Sequence, residues 1–187
     1  MPDLLAWLSE ADHWLFLLVN RTGQNGLFDL AMPVLSEKRY ALLPAAVLIV
    51  LIGWRGGRRA WPWLAVAGLG LALSDSTGNF LKHLFMRTRP CHIVAGVHLL
   101  GGCTQSFSLP SNHAINMAAL ATVAWLGCPR WGWPLGILAA LVGYSRVYLG
   151  VHYPADVLAG FVLGAAVAWC VVRVASTFLP RFFKNFK

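Results

Sequence analysis

Hydrophobic positions along this chain fall in long blocks, and polar residues are held to the block edges. Five blocks are candidates to cross a bilayer, at residues 39–54, 60–81, 113–127, 131–149 and 154–175. Their apolar cores are mostly shorter than the roughly 20 residues a span needs, so the polar ends must complete the length. Such ends are tolerated where they face one another or a water-filled cavity. Two further apolar segments, 4–19 and 27–35, are short and broken by charges or proline. They read as interfacial helices lying on the membrane, with a sixth span over 4–20 as the alternative. Gly132-x-x-x-Gly136 and Gly160-x-x-x-Gly164 mark faces small enough for close helix packing. The pattern predicts an all-α polytopic membrane helix bundle of five to six transmembrane helices with short interfacial helices. It forms a single domain over residues 1–187.

Composition sharpens that expectation, since 58% of the 187 residues are hydrophobic, 12% are charged and mean hydropathy is +0.62. A soluble domain of this size needs more polar surface. Nine Trp and ten Phe supply rings suited to membrane interfaces. A net charge of +8 would suit nucleic acid, but the basic residues lie between apolar runs and form no stripe among exposed polar ones. No nucleic-acid or protein partner is expected, only membrane lipids. The opening "MPDLLAWLSEAD" has no basic n-region and is broken by acids, so insertion is expected to rely on internal spans. Four Cys are too few for a disulfide scaffold.

The basic residues are unevenly shared between the two faces that five spans define. Arg55, Arg58, Arg59 and Arg130 lie in turns on one face, joined after the last span by Arg173, Arg181, Lys184 and Lys187. The other face carries Lys38, Arg39, Lys82, Arg87 and Arg89. The positive-inside rule makes the first face cytoplasmic and turns the 82–112 loop and the 150–153 turn outward. The basic and aromatic C-terminal tail then suits an anionic inner leaflet.

Three polar clusters land on that outward face: "KHLFMRTRP" at 82–90, "PSNH" at 110–113 and "SRVYLGVHYPAD" at 145–156. Lys82, Arg89 and Arg146 would converge there with no matching group of carboxylates, since the whole chain has only seven Asp and Glu. Unpaired cations in a low-dielectric crevice call for an anion among them. Arg forks match phosphate oxygens, and Lys adds a point charge. His152 precedes Pro154, which suits a first helical position, and Asp156 lies one turn on, within reach of the imidazole. A carboxylate on Nδ1–H fixes the tautomer and leaves Nε2 to attack. His113 starts another helix, where the dipole favours anions, and is placed to protonate a leaving oxygen. Ser111 and the Asn112 backbone amide complete an oxyanion-type cradle. The pattern points to phosphoryl transfer.

In this order, Lys-x6-Arg-Pro (Lys82 to Arg89-Pro90), Pro-Ser-x-His (Pro110 to His113) and Ser-Arg-x5-His-x3-Asp (Ser145 to Asp156) resemble the signature of the type 2 phosphatidic acid phosphatase (PAP2) superfamily. The resemblance implies a metal-independent, cofactor-free lipid phosphatase working through a phosphohistidine on His152. The spans would then have the substrate enter sideways from the bilayer of a bacterial inner membrane, and the distribution of basic residues would turn the active site to the periplasm or exterior. Undecaprenyl pyrophosphate leads the substrates this implies, followed by phosphatidylglycerophosphate and lipid A phosphates. The departure is Asn112, where the family most often has Gly. If only the backbone N–H matters there, Asn serves; if the side chain narrows the pocket, it bears on substrate choice and not on activity.

Other residues invite blander readings. Arg87 and Arg39 read as snorkelling to headgroups, and His83, His92 and His98 as structural or solvent-facing. Asp75 and Asn79, one and two turns before Lys82, read as support for Lys82 or for a neighbouring helix. Cys91, His92, His98 and Cys103 match no standard zinc spacing, so no metal site is expected. Cys91 and Cys103 share the outward loop and are expected to form a disulfide. Two other functions fit parts of the pattern. An anion or lipid transporter would use the cations but needs neither His152–Asp156 nor His113. A vanadium-dependent haloperoxidase shares the motifs, but those enzymes resemble larger soluble proteins.

Overall fold

The computed structural model describes residues 2–183. Lys184 and Lys187, assigned above to the cytoplasmic face, lie outside the described residues, as does the side chain of Lys38. Every regular element among the described residues is helical: α1 (Pro2–Leu17), α2 (Gly26–Ser36), α3 (Lys38–Gly56), α4 (Ala60–Phe85), the short α5 (Pro90–Ile93), α6 (Asn112–Gly127), α7 (Pro129–Tyr148) and α8 (Pro154–Phe178). A π-helical turn, Leu18–Thr22, extends α1, and a 3-10 turn, Gly57–Arg59, joins α3 to α4. Proline starts α7 and α8 at the first helical turn, where its missing N–H costs nothing. Helix α4 outruns the expected span by one turn and stops where Met86 turns left-handed at φ 46°.

Helix α6 is the axis of the bundle, packed on α4, α7 and α8, whereas α3 packs against α4, the 3-10 turn that joins them and, more lightly, α2. The α6–α8 seam depends on two glycines. A Cβ on Gly160 would lie 2.8 Å from Ser111 O, and one on Gly164 would lie 2.1 Å from Ile115 O. The two backbones therefore touch, as the small-residue spacing anticipated. The other pair is used only in part: Gly132 packs against Trp125, while Gly136 has open space around it.

The membrane reading is supported by what stays exposed. Val47 to Ile52 on α3, Leu69 and Phe80 on α4, Ile137 on α7 and Leu158 and Val162 on α8 all leave large apolar side chains uncovered. A surface that apolar suits hydrocarbon. Among the described residues, however, only α8 is long and apolar enough by itself to cross a bilayer. Helix α6, at 16 residues, is short for a span, and polar residues within α4 and α7 dilute their hydropathy, so the expected count of five to six spans is not established by the helices.

The 4–19 and 27–35 segments do more than lie flat. Phe16 on α1 is fully buried against Ala114, Val147, Tyr153 and Val157, and Met32 on α2 packs with Tyr148, Leu149 and Val151. At the opposite end of the bundle, Phe183 is buried beside Trp63, with ring centroids 4.6 Å apart. The start of the tail thus docks on the protein itself.

Candidate active site

Four helix ends converge on one polar crevice: the C-terminus of α4 with Lys82, the N-terminus of α6 with Ser111 to His113, the C-terminus of α7 with Arg146, and the N-terminus of α8 with Asp156. The α7–α8 turn supplies His152, its path set by Gly150 at φ 75°. A Cβ at Gly150 would meet Val97 Cγ1 at 2.3 Å. The loop from α5 to α6 closes over these groups. Lys82 Nζ donates to Phe107 O at 2.8 Å and Ser108 O at 3.3 Å. Arg89 Nε donates to Ser106 O at 2.7 Å, and its Nη1 donates to Val151 O at 3.0 Å.

His152 and Asp156 are both buried. Arg89 Nη1 lies 3.0 Å from His152 Nε2. A guanidinium cannot accept, so it donates and Nε2 is the unprotonated nitrogen. The N–H then sits on Nδ1, which faces Ser108 Oγ at 3.4 Å and Asp156 Oδ2 at 3.5 Å. Burial, with the positive charges of Arg89 and Arg146, pushes His152 down to about 3 against the pull of Asp156. The imidazole is neutral at ordinary pH. Asp156 Oδ2 accepts the Tyr153 N–H at 2.8 Å and a close hydrogen bond from Ser108 Oγ.

His113 and Arg146 meet at Ser36, the last residue of α2. His113 Nε2 is 3.1 Å from Ser36 O, and Arg146 Nη1 donates to Ser36 Oγ. The Ser111 hydroxyl and Arg146 Nε are buried without a hydrogen-bond partner, while Ser111 N donates to Asp156 O at 3.0 Å. These are polar groups that an anion's oxygens would satisfy.

Two expectations change. The Asn112 side chain does not narrow the crevice. Its Nδ2 crosses to α4 and donates to Asp75 Oδ1 at 3.1 Å and Asn79 Oδ1 at 2.7 Å. Asp75 and Asn79 therefore tie α4 to α6, and Lys82 is oriented by the loop carbonyls instead. Arg87 does not snorkel, because two carboxylates hold it: Asp156 Oδ1 at 2.7 Å and Asp12 Oδ2 at 2.6 Å. Asp12, which the sequence marks only as a break in the apolar N-terminal run, and Ser36, Ser106 and Ser108 belong to no motif.

Outside the crevice, His98 pairs with Asp29 at 2.8 Å, and His83 meets the Phe107 ring edge-on. Arg39 stays exposed beside Glu37 and the Tyr40 ring. Cys91 and Cys103 are joined as a disulfide, with Cα atoms 6.3 Å apart. His92 lies beside Cys103, and these three residues form the only His, Cys and carboxylate cluster of metal-site size among the described residues.

Residues 63–180 match the PAP2 superfamily. The chain is 32% identical to an undecaprenyl-diphosphatase of Sulfolobus acidocaldarius, over 87% of this chain and 78% of the relative. It is 28% identical to a lipid A 4'-phosphatase of Bacteroides thetaiotaomicron, over 95% and 83%. The crystal structure of a transmembrane PAP2-type phosphatidylglycerolphosphate phosphatase from Bacillus subtilis superimposes with a TM-score of 0.69 at 27% identity. It covers 91% of this chain and 87% of that one. Helical fold, crevice and relatives agree, and the chain belongs to the PAP2 superfamily of membrane lipid phosphatases.

Proposed function

We propose that this protein hydrolyses a lipid phosphate or pyrophosphate through a phosphohistidine on His152. The observation that carries the reading is the setting of His152. A neutral imidazole presents Nε2 to Arg89, with Ser111 Oγ and Arg146 Nε buried and unpartnered in the same crevice.

The phosphoryl group sits among Lys82, Arg89, Arg146, the Ser111 hydroxyl and the Asn112 backbone N–H. Its oxygens take over the N–H groups now spent on loop carbonyls. His152 Nε2 attacks phosphorus, and the N–P bond forms as the bond to the leaving oxygen breaks. Asp156 stabilises the charge that develops on the ring. His113 gives its proton to the leaving oxygen, then takes one from the water that cleaves the phosphohistidine. Negative charge on the transferring group is met by the three cations, so no metal or cofactor is invoked.

Among substrates we favour undecaprenyl pyrophosphate, the lipid in the name of the Sulfolobus relative. Phosphatidylglycerophosphate and lipid A phosphates come next. The bundle spans a cytoplasmic membrane five to six times, and the crevice faces the periplasm or exterior. The lipid enters sideways from the bilayer.

Phosphate release in detergent from undecaprenyl pyrophosphate, phosphatidylglycerophosphate, phosphatidic acid and lipid A tests the reading. At least one substrate should turn over and His152→Ala should not. Release from none would favour an anion or lipid transporter. A reporter fused after Lys187 should read cytoplasmic and a tag at Gly96 should be reachable from outside. The reverse would turn the site inward.

A further inference from the structure

Arg87 occupies a place that neither headgroup binding nor the phosphate cradle explains. It sits in the short link after α4, and its guanidinium fork spans two carboxylates from opposite ends of the chain. Nη1 donates to Asp156 Oδ1 at 2.7 Å and Nη2 to Asp12 Oδ2 at 2.6 Å. The guanidinium lies over the Tyr153 ring, with Cζ 4.1 Å from the centroid. Asp12 is itself buried on α1, and its second oxygen accepts the Ala155 N–H at 2.8 Å, within the first turn of α8. One side chain of α1 thus grips both the arginine and the helix that carries Asp156.

The two oxygens of Asp156 are divided between tasks. Oδ1 is taken by Arg87, which leaves Oδ2 for Ser108, Tyr153 N–H and the side of His152 that bears its proton. Without Arg87 the carboxylate would be a buried charge free to turn about its last torsion. We propose that Arg87 and Asp12 are positioning residues of this active site: Arg87 fixes the rotation and charge of Asp156 toward His152, and Asp12 tethers Arg87 to α1. The proposal rests on the reading of His152 as nucleophile and Asp156 as its partner.

The charged surroundings set the sign of the test. Asp156 faces His152 from the α7–α8 turn, Arg87 from the α4–α5 link and Asp12 from α1, with Lys82 and Arg89 acting at longer range. Removing the Arg87 charge favours protonated Asp156, so the acid limb of kcat/KM moves to higher pH. Removing the Asp12 charge does not raise it, because a negative neighbour has gone. A helix dock with no part in positioning would leave kcat of the folded protein unchanged.

The experiment uses the full-length protein in detergent with the lipid phosphate it turns over best. Arg87→Met should lower kcat by about 10- to 100-fold, as loss of an orienting partner does elsewhere. KM should stay within about threefold, and the acid limb should rise by about one pH unit. Arg87→Lys should keep the acid limb near that of the wild type while losing part of kcat, since one ammonium cannot bridge both carboxylates. Asp12→Asn should lower kcat with no upward shift. Wild-type kcat and acid limb in Arg87→Met would overturn the proposal. If Arg87→Met does not accumulate, wild-type kcat in both Arg87→Lys and Asp12→Asn would overturn it instead. Turnover by His152→Ala would bring down the reading beneath it, a different failure seen in a different variant.

Discussion

Arg89 Nη1 stands 3.0 Å from His152 Nε2, so the cation that would hold the phosphoryl group already touches the nitrogen that would attack it. An incoming phosphate oxygen can take that N–H and free the nitrogen lone pair within one ångström-scale shift. Arg89→Ala should therefore lower kcat by about 100-fold or more, and Arg89→Lys should recover only part, since Lys lacks the fork. Steady-state phosphate release measures both. Normal kcat in Arg89→Ala would leave the residue outside the reaction.

His152 also makes stability depend on pH. Its folded value is pushed down to about 3, while an unfolded histidine titrates near 6.5. Between these values the unfolded chain binds the extra proton, so stability is fully present above about pH 6.5 and is lost as pH falls toward 3. His152→Gln, which cannot titrate, should flatten the melting temperature of the detergent-solubilised protein over that window. An unchanged slope would show that the acid sensitivity lies elsewhere.

Asn112 is expected to act through its backbone in the cradle and through its side chain in the bundle. Asn112→Ala keeps the N–H but loses the bonds to Asp75 and Asn79, which should cost about 1–3 kcal/mol of stability. Activity per folded molecule should stay within about threefold. A large fall in kcat with unchanged melting temperature would put the side chain back in the pocket.

Thiol labelling of unreduced, denatured protein should find Cys128 and Cys170 free and Cys91 and Cys103 blocked. Closing that loop is worth about 3 kcal/mol in the chain-entropy model, so Cys103→Ser should melt earlier. Four reactive thiols would mean the bridge does not form in the cell.

The helices were legible because each one starts or stops on a local signal. Pro129 and Pro154 open α7 and α8, and Pro110 with Ser111 marks the approach to α6. Lys82, Arg89, Arg146, His152 and Asp156 were legible for a different reason, since their fixed spacings survive in one dimension. What escaped notice depends on long-range docking. Arg87 meets Asp12 across 75 positions of sequence, and only the path of α1 brings them together. Ser108 joins Asp156 because of how its loop returns from α5, and Ser36 meets His113 and Arg146 because α2 ends beside them. The side chain of Asn112 stands at the mouth of the site in sequence, yet polar atoms on α4 draw it away, and nothing local in the chain announces them. The count of spans stayed open because the residues that build the crevice also shorten the apolar runs.

The contact of Gly164 with the Ile115 carbonyl says something about recognition. Where two backbones meet there is no room for a hydrocarbon chain, so no lipid tail can thread between α6 and α8 to reach His152. A lipid phosphate in the proposed site would have to leave its tail on the outside of that pair. On the proposed function, selection along this seam would fall to the headgroup, since a tail outside it offers the pair nothing to measure.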